Sequence, residues 1–217
     1  MMRKAVLASV LCVLLLSGAA SAQKGFEITP IFGYAWTSRV NTYEGQFDIG
    51  NSSNWGILFN YDIGNYTYKG TALEILYNRQ DSRAEFYEAG TRIREDLFDM
   101  SVEYFQIGAA NRLHYDKIEP FGEFLIGATR FAAKEDVTVG ENTFRPSDEW
   151  MFSMTLGAGV RLMLSERIGI RAHGRLLMPM SFSGGGLWCG FGGCSVGVGS
   201  SSWFMQGDLG AGIIVRF

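Results

Sequence analysis

From residue 26 to the end of the chain, hydrophobic and polar positions alternate in step over long stretches. Strand side chains point to opposite faces in turn, whereas a helix groups its apolar positions three and four apart. The clearest run is 150–164. Trp150, Phe152, Met154, Leu156, Ala158 and Val160 share one face; Ser153, Thr155, Gly157, Gly159 and Arg161 share the other. A run of this length reaches about 50 Å, against about 5–6 residues for an ordinary soluble strand. The same alternation returns at 26–36, 55–63, 168–178 and 203–217, and more weakly at 73–78, 100–105 and 123–129. In the 100–105 run, Met100, Val102 and Tyr104 are read as one face, and Ser101, Glu103 and Phe105 as the other. The pattern predicts eight strands, or ten if a long loop hides a further membrane hairpin.

The connections alternate short and long. Short ones fall near 64–65, 111–117 and 165–167, and long ones at 37–53, 80–98, 131–149 and 180–201. With an even strand count, both termini and every short turn share one end. The pattern therefore predicts an all-β fold, an eight-stranded antiparallel up-and-down transmembrane β-barrel with short periplasmic turns and long extracellular loops. Within the loops, 85–87 and 91–93 flank turn residues, as do 137–139 and 142–144, so both loops should continue as hairpins beyond the membrane.

Alternation also suits a soluble exported barrel such as a lipocalin, whose apolar face points inward. Its outer face would then carry many Lys and Glu. Here the polar faces carry Gly, Ser, Thr and isolated Arg, which suit the crowded interior of a narrow barrel. The apolar faces carry Trp, Tyr and Phe near the strand ends, as lipid-facing girdles do.

Composition narrows the picture. Hydrophobic residues make up 47%, too many for a disordered chain. Lys and Arg number 19 against 22 Asp and Glu, so there is no basic footprint for a nucleic acid. Residues 1–22 run from Arg3 and Lys4 through an apolar stretch to Ala20-Ser21-Ala22. That is the order of a cleaved secretory signal peptide, which leaves 23–217 as one barrel domain. The apolar stretch is too short to span a bilayer as a helix. Cys12 lies inside it rather than at the cleavage point, which argues against lipidation. Cys189 and Cys194 remain, separated by Gly190-Phe191-Gly192-Gly193, and in an oxidising compartment they are expected to form a disulfide. Free thiols are the alternative; a metal would need further ligands, and no His is near.

These features together resemble the OmpA/OmpX-like superfamily of small outer-membrane β-barrels. The resemblance rests on the leader, the alternating strands and the ending Gly210-Ala211-Gly212-Ile213-Ile214-Val215-Arg216-Phe217. It implies integral residence in the outer membrane of a Gram-negative bacterium. It also implies that Phe217 serves as the signal read by the barrel-assembly machinery. No motif in the strands fixes a particular role.

The inward faces collect Glu27, Glu74, Glu123, Arg161 and Arg171 in the half nearer the periplasm. Glu103, Arg175, Gln206 and Asp208 are placed nearer the outside. Buried charges must be paired or hydrated, and the expected pairs are Glu123 with Arg161 and Arg175 with Asp208. The reading is a polar core that plugs the barrel; the alternative is a water-filled path for protons, ions or small solutes. A lipid-modifying enzyme is the third reading. It would need a His beside a Ser, with a carboxylate to orient the His. The lipid A deacylase family has an H-x-S spacing, whereas here His114 precedes Tyr115-Asp116 and His173 precedes Gly174-Arg175. A structural His173 and a non-enzymatic protein are expected. The Gly-rich stretch 183–202 lacks the G-x-x-x-x-G-K-[ST] phosphate cradle, and no cofactor is expected. Expected partners are outer-membrane lipid, the assembly machinery during insertion, and a surface partner reached through the long loops or the Leu187, Trp188 and Phe191 patch. The chain is expected to be a monomer with a structural or surface-interaction role.

Overall fold

The computed structural model describes residues 25–37, 40–41, 45–65, 69–88, 94–134, 137–139, 142–144, 148–180, 187–190, 193–196 and 205–217. The expected leader at 1–22 lies outside them. Eight long strands form the barrel: β1 (Phe26–Thr37), β2 (Ser52–Asn65), β3 (Lys69–Glu88), β4 (Arg94–Leu113), β5 (Ile118–Ala133), β6 (Glu149–Met163), β7 (Ile168–Met180) and β8 (Gln206–Arg216). Each pairs antiparallel with its sequence neighbours, β7 with β8 included, and β1 pairs with β8 to close the ring. Closure removes the unpaired edge that no strand can present to lipid. Eight strands settle the count that the sequence left open.

The three runs that were weakest in sequence lie in the strands β3, β4 and β5, of 20, 20 and 16 residues. Their apolar faces are interrupted because part of each strand lies beyond the bilayer. β3 and β4 stay paired out to Tyr87 and Arg94. The strand Gly45–Ile49 adds to the far end of β3, from Ile49 opposite Ala84 to Gly45 opposite Glu88. A three-stranded sheet therefore projects from the extracellular end; the 80–98 pattern predicts continued pairing there, but the expected flank 91–93 lies outside the described residues and the added strand Gly45–Ile49 is not part of that expectation. The expected second hairpin also forms, as Val137–Val139 paired with Asn142–Phe144. The loop after β7 carries a third hairpin, Leu187–Gly190 with Gly193–Val196, whose register sets Cys189 opposite Cys194. Their sulfur atoms, and the side chains of Trp188 and Phe191, lie outside the described residues.

The periplasmic turns are tight. Tyr115 and Ile118 exchange backbone hydrogen bonds of 3.0 Å in both directions. Asp116 between them takes a φ of 55°, a conformation that Asp tolerates better than most residues. In the turn from β6 to β7, the Ser165 hydroxyl accepts the Ile168 N–H at 3.0 Å.

The apolar face points outward. Phe32, Leu156, Leu209 and Ile213 are exposed, whereas Thr155, Ser153, Arg161 and Ile31 on the opposite faces are buried. Aromatic rings gather at the extracellular rim of this face. Trp55 meets Tyr77 at 5.7 Å, Tyr77 meets Phe105 at 5.1 Å, and Phe105 meets Trp150 at 5.8 Å. On β3 the outward positions from Leu73 to Tyr77 are apolar, bounded by Thr71 below and Arg79 above. At about 3.4 Å per residue and a tilt of about 40°, those bounds enclose a belt about 20 Å tall, close to the roughly 25 Å band of bilayer-spanning barrels. The fold is thus built to span a membrane.

Charge on this face should cost most at mid-belt. Leu156→Arg is expected to destabilise the barrel by about 2–4 kcal/mol, and Leu164→Arg at the periplasmic rim by about 0–1 kcal/mol. Urea unfolding in lipid vesicles measures both, and equal costs would move the belt away from Leu156.

Candidate functional site

The inward positions of all eight strands converge on a continuous polar network, because an eight-stranded ring leaves room inside for side chains and little else. At the periplasmic end, Glu27 is the hub. Arg161 contacts it at 2.7 Å, Arg216 at 2.7 Å and Arg112 at 3.1 Å. Arg161 also reaches Glu119 at 3.0 Å, and Arg112 reaches Asp62 at 2.8 Å. His114 Nδ1 lies 3.0 Å from Glu119.

Further in, Arg171 bridges two carboxylates. It contacts Glu74 at 2.9 Å and also bonds Glu123. The Phe121 ring lies against its guanidinium at 4.1 Å. Arg175 donates from Nε to Glu123 at 2.7 Å, and its Nη1 lies 3.8 Å from Asp208. Asp208 also accepts from Asn54 at 2.7 Å and lies 3.4 Å from His173 Nε2. A β-carbon at position 157 would strike the Glu123 carboxylate, so Gly157 makes the space this group occupies.

Toward the extracellular side the network becomes neutral. The Tyr104 hydroxyl donates to Gln206 at 2.7 Å, and Gln206 bonds Gln80. Thr155 donates to Gln106 at 2.7 Å, and Gln106 donates to Ser153 at 2.9 Å. Ile31, Leu58, Leu76 and Leu125 form a buried apolar cluster within the ring.

The structure places Glu27, Glu74, Glu123, Arg161, Arg171, Arg175 and Asp208 inside, as the alternation predicts. It brings Arg175 to Asp208, but it corrects the other expected pair. Glu123 meets Arg171 and Arg175, whereas Arg161 meets Glu27 and Glu119. Arg112 falls within the connection expected at 111–117 and Glu119 falls ahead of the run expected at 123–129, whereas β4 runs to Leu113 and β5 starts at Ile118, which puts both on strands. Carrying the outward phase of Phe105 and Ile107 down the strand would have set Arg112 inside.

Glu103 is a larger correction. It lies on the outer wall, opposite Arg79 on β3 and Arg130 on β5. Arg79 contacts it at 2.9 Å and Arg130 at 3.1 Å. Its neighbours Met100, Val102 and Tyr104 face inward and are buried. The physical reason is a reversal of polarity above the aromatic girdle. There the outer surface meets water, so Arg79, Asp81, Asp99 and Lys134 point out, while Val102, Phe131, Met151 and Leu177 fill the inside. The rule that apolar faces meet lipid holds only within the belt. Phe217 packs its ring 6.0 Å from Phe26, and its N–H bonds the Phe26 carbonyl at 2.9 Å.

An apolar, girdled exterior around a polar interior defines a transmembrane β-barrel. The fold is that of the integral outer-membrane barrels of Gram-negative bacteria. Among solved structures the chain is similar to Neisserial surface protein A, with a TM-score of 0.52 and 16% identity over 89% of this chain and 97% of that one. It is also similar to the outer membrane protease OmpT from Escherichia coli, with a TM-score of 0.50 and 7% identity over 91% of this chain and 98% of that one. No protein-family model and no curated protein matches the chain.

Removing Arg171 strands the buried Glu74 carboxylate and leaves Glu123 with Arg175 alone. Arg171→Ala is expected to destabilise the barrel by about 3–5 kcal/mol, read by urea unfolding in vesicles; a loss under 1 kcal/mol would mean that the network contributes little. The polarity reversal has its own check. In whole cells, Asp81→Cys should react quickly with a membrane-impermeant maleimide, whereas Ile75→Cys, in the belt on the same face, should stay unlabelled. Equal labelling would place the girdle elsewhere.

Proposed function

We propose that the protein is a non-enzymatic outer-membrane barrel with a plugged interior, serving a structural or surface-interaction role through its extracellular hairpins. The observation that carries this reading is the ring of reciprocal ion pairs. Each buried carboxylate of the interior, Glu27, Glu74, Glu119, Glu123 and Asp208, has an arginine within 4 Å. A water-filled channel would leave charges facing a lumen; here they are spent on one another across it. Above the girdle the outer wall carries Arg79, Asp81, Arg83 and Asp99, a charged surface suited to polar partners outside the cell. His114 on Glu119 and His173 on Asp208 are read as structural groups, which is why no catalytic role is assigned.

A narrow path for ions or small solutes is the second reading. It draws on the buried side-chain oxygens of Asn54, Asn60 and Asn78, which lack a hydrogen-bond partner among the described residues. Polar pockets of this kind hold water well.

Conductance separates the two. The refolded mature chain in a planar bilayer should give no discrete openings, and Arg175→Ala or Asp208→Ala should give at most irregular leaks. Steady unitary currents from the unmodified barrel that change with these substitutions would replace the plugged reading with the pore.

A further inference from the structure

The outer wall of the barrel is not uniform. Over β3, β4, β5 and β6 it sinks into two hollows that share Asn111 and Gly122 and so run together. The upper one, about 800 Å³, lies in the apolar belt between Leu73, Ile107, Phe124 and Ile126, with Ala109 and Gly122 on its floor. The lower one, about 580 Å³, opens toward the periplasmic rim at Lys69, Thr71 and Leu113. Both volumes fall in the range of small-molecule sites, roughly 300–1,000 Å³.

Gly122 distinguishes this depression from ordinary roughness. Gly108 and Gly157, which also border the upper hollow, are required by the fold. A β-carbon at 108 would strike the Phe124 backbone, and one at 157 the Glu123 carboxylate. A β-carbon at 122 would meet nothing closer than the Gly157 carbonyl at 3.9 Å. No neighbour among the described residues explains the missing side chain, and Gly122 is exposed on the lipid-facing wall. Open space in a hydrocarbon environment forfeits dispersion contacts unless something fills it.

The polar groups follow an amphipathic order. Lys69 lies exposed at the periplasmic mouth. Two positions further in, the Thr71 hydroxyl donates to Asn111 Oδ1 at 2.9 Å on the outer wall, which leaves the Asn111 amide N–H groups as donors. Beyond them the exposed side chains of the wall, Leu73, Ile107, Phe124 and Ile126, are apolar, and Glu123, which also borders the hollow, is buried and paired with Arg171 and Arg175. A cation, then amide donors, then an apolar trough is the complement of a phosphate, then ester carbonyls, then an acyl chain.

We propose that this groove seats one glycerophospholipid of the periplasmic leaflet, with its phosphate at Lys69, its ester region at Thr71 and Asn111, and an acyl chain over Gly122 and Ala109. The site is continuous with the lipid-facing belt, so its occupant comes from the bilayer rather than from solution. It is separate from the plugged interior, and it stands whether or not the barrel conducts.

The test uses the mature chain refolded into vesicles of equal phosphatidylglycerol and phosphatidylcholine, extracted in mild detergent and weighed by native mass spectrometry. The unmodified barrel should retain one phospholipid, with phosphatidylglycerol favoured. Gly122→Leu and Ala109→Leu, which fill the trough, should each lower the retained fraction about tenfold. Lys69→Gln should abolish the preference for phosphatidylglycerol while leaving acyl retention. Heat-dependent gel mobility reports that each variant is folded; should Gly122→Leu fail to fold, Ala109→Leu decides. No retained lipid on the unmodified barrel, or equal retention by the trough variants, overturns the proposal. So does a dimer that Gly122→Leu dissociates, which would assign the groove to a second copy.

Discussion

Everything in this molecule depends on closing a ring of strands in a medium without water. A strand in hydrocarbon cannot leave its N–H and C=O groups unpaired, so β1 must find β8 before any part of the sheet is stable in lipid. Closure then creates a second demand. The ring is too narrow for bulk water, and its inward positions carry strong charges that cannot stay unpaired. The ion pairs of Glu27, Glu74 and Glu123 satisfy that demand. Burying charges this way is not a cheap route to stability, since desolvation offsets most of the Coulomb gain. Its value here is in geometry. Arg171 reaches Glu74 and Glu123 from β7 across the lumen, so the pairs fix the ring's cross-section as well as its charge.

The polarity of each strand is set by the solvent outside it, and that solvent changes along the strand. Within the belt, lipid requires Leu73, Ile75 and Tyr77 to face out. One step beyond the girdle, water takes over, and Arg79 and Asp81 occupy the same outward column. The inside inverts in turn, from Glu74 and Asn78 low in the barrel to Val102, Phe131 and Met151 above. Just above the girdle the wall therefore follows the rule of a soluble protein, charged outside and apolar within, on strands it shares with the membrane barrel. Arg79, Glu103 and Arg130 mark the junction, with Arg130 also 6.0 Å from the Trp150 ring, where a cation at headgroup depth belongs.

This reversal explains what was legible in the sequence. Strands β1, β2, β6, β7 and β8 lie mostly within the belt, and their alternation gave faces and contents correctly, including Arg161, Arg171, Arg175 and Asp208. Strands β3, β4 and β5 cross the girdle, so their hydrophobic phase switches midway and the signal cancels. Met100, Val102 and Tyr104 look like a lipid face because they are apolar, and that put Glu103 on the wrong side. Partners across the lumen were beyond reach for another reason. Glu123 pairs with Arg171 rather than Arg161 because strand tilt and shear set which heights coincide, and neither can be read from one strand's pattern. Arg112 is hidden by turn-like composition at 111–117 and Glu119 by the weak start of its strand, although the connection needs only Asp116 and Lys117 between the bridged residues Tyr115 and Ile118.

The seam between the two ends of the chain ties these layers together. Glu27, the hub of the periplasmic layer, sits on the first strand, and Arg216, which contacts it at 2.7 Å, sits on the last. In register Glu27 faces Arg216 directly, and next to them Phe217 bonds Phe26 through backbone and ring. Before the seam forms, Glu27 has lost one of its three cationic partners and the lumen is open to water, so the periplasmic layer is incomplete. Pairing β1 with β8 thus completes the hydrogen-bond ladder and brings Arg216 to Glu27 in the same step, so the backbone closure and the last ion pair of the periplasmic layer depend on one seam.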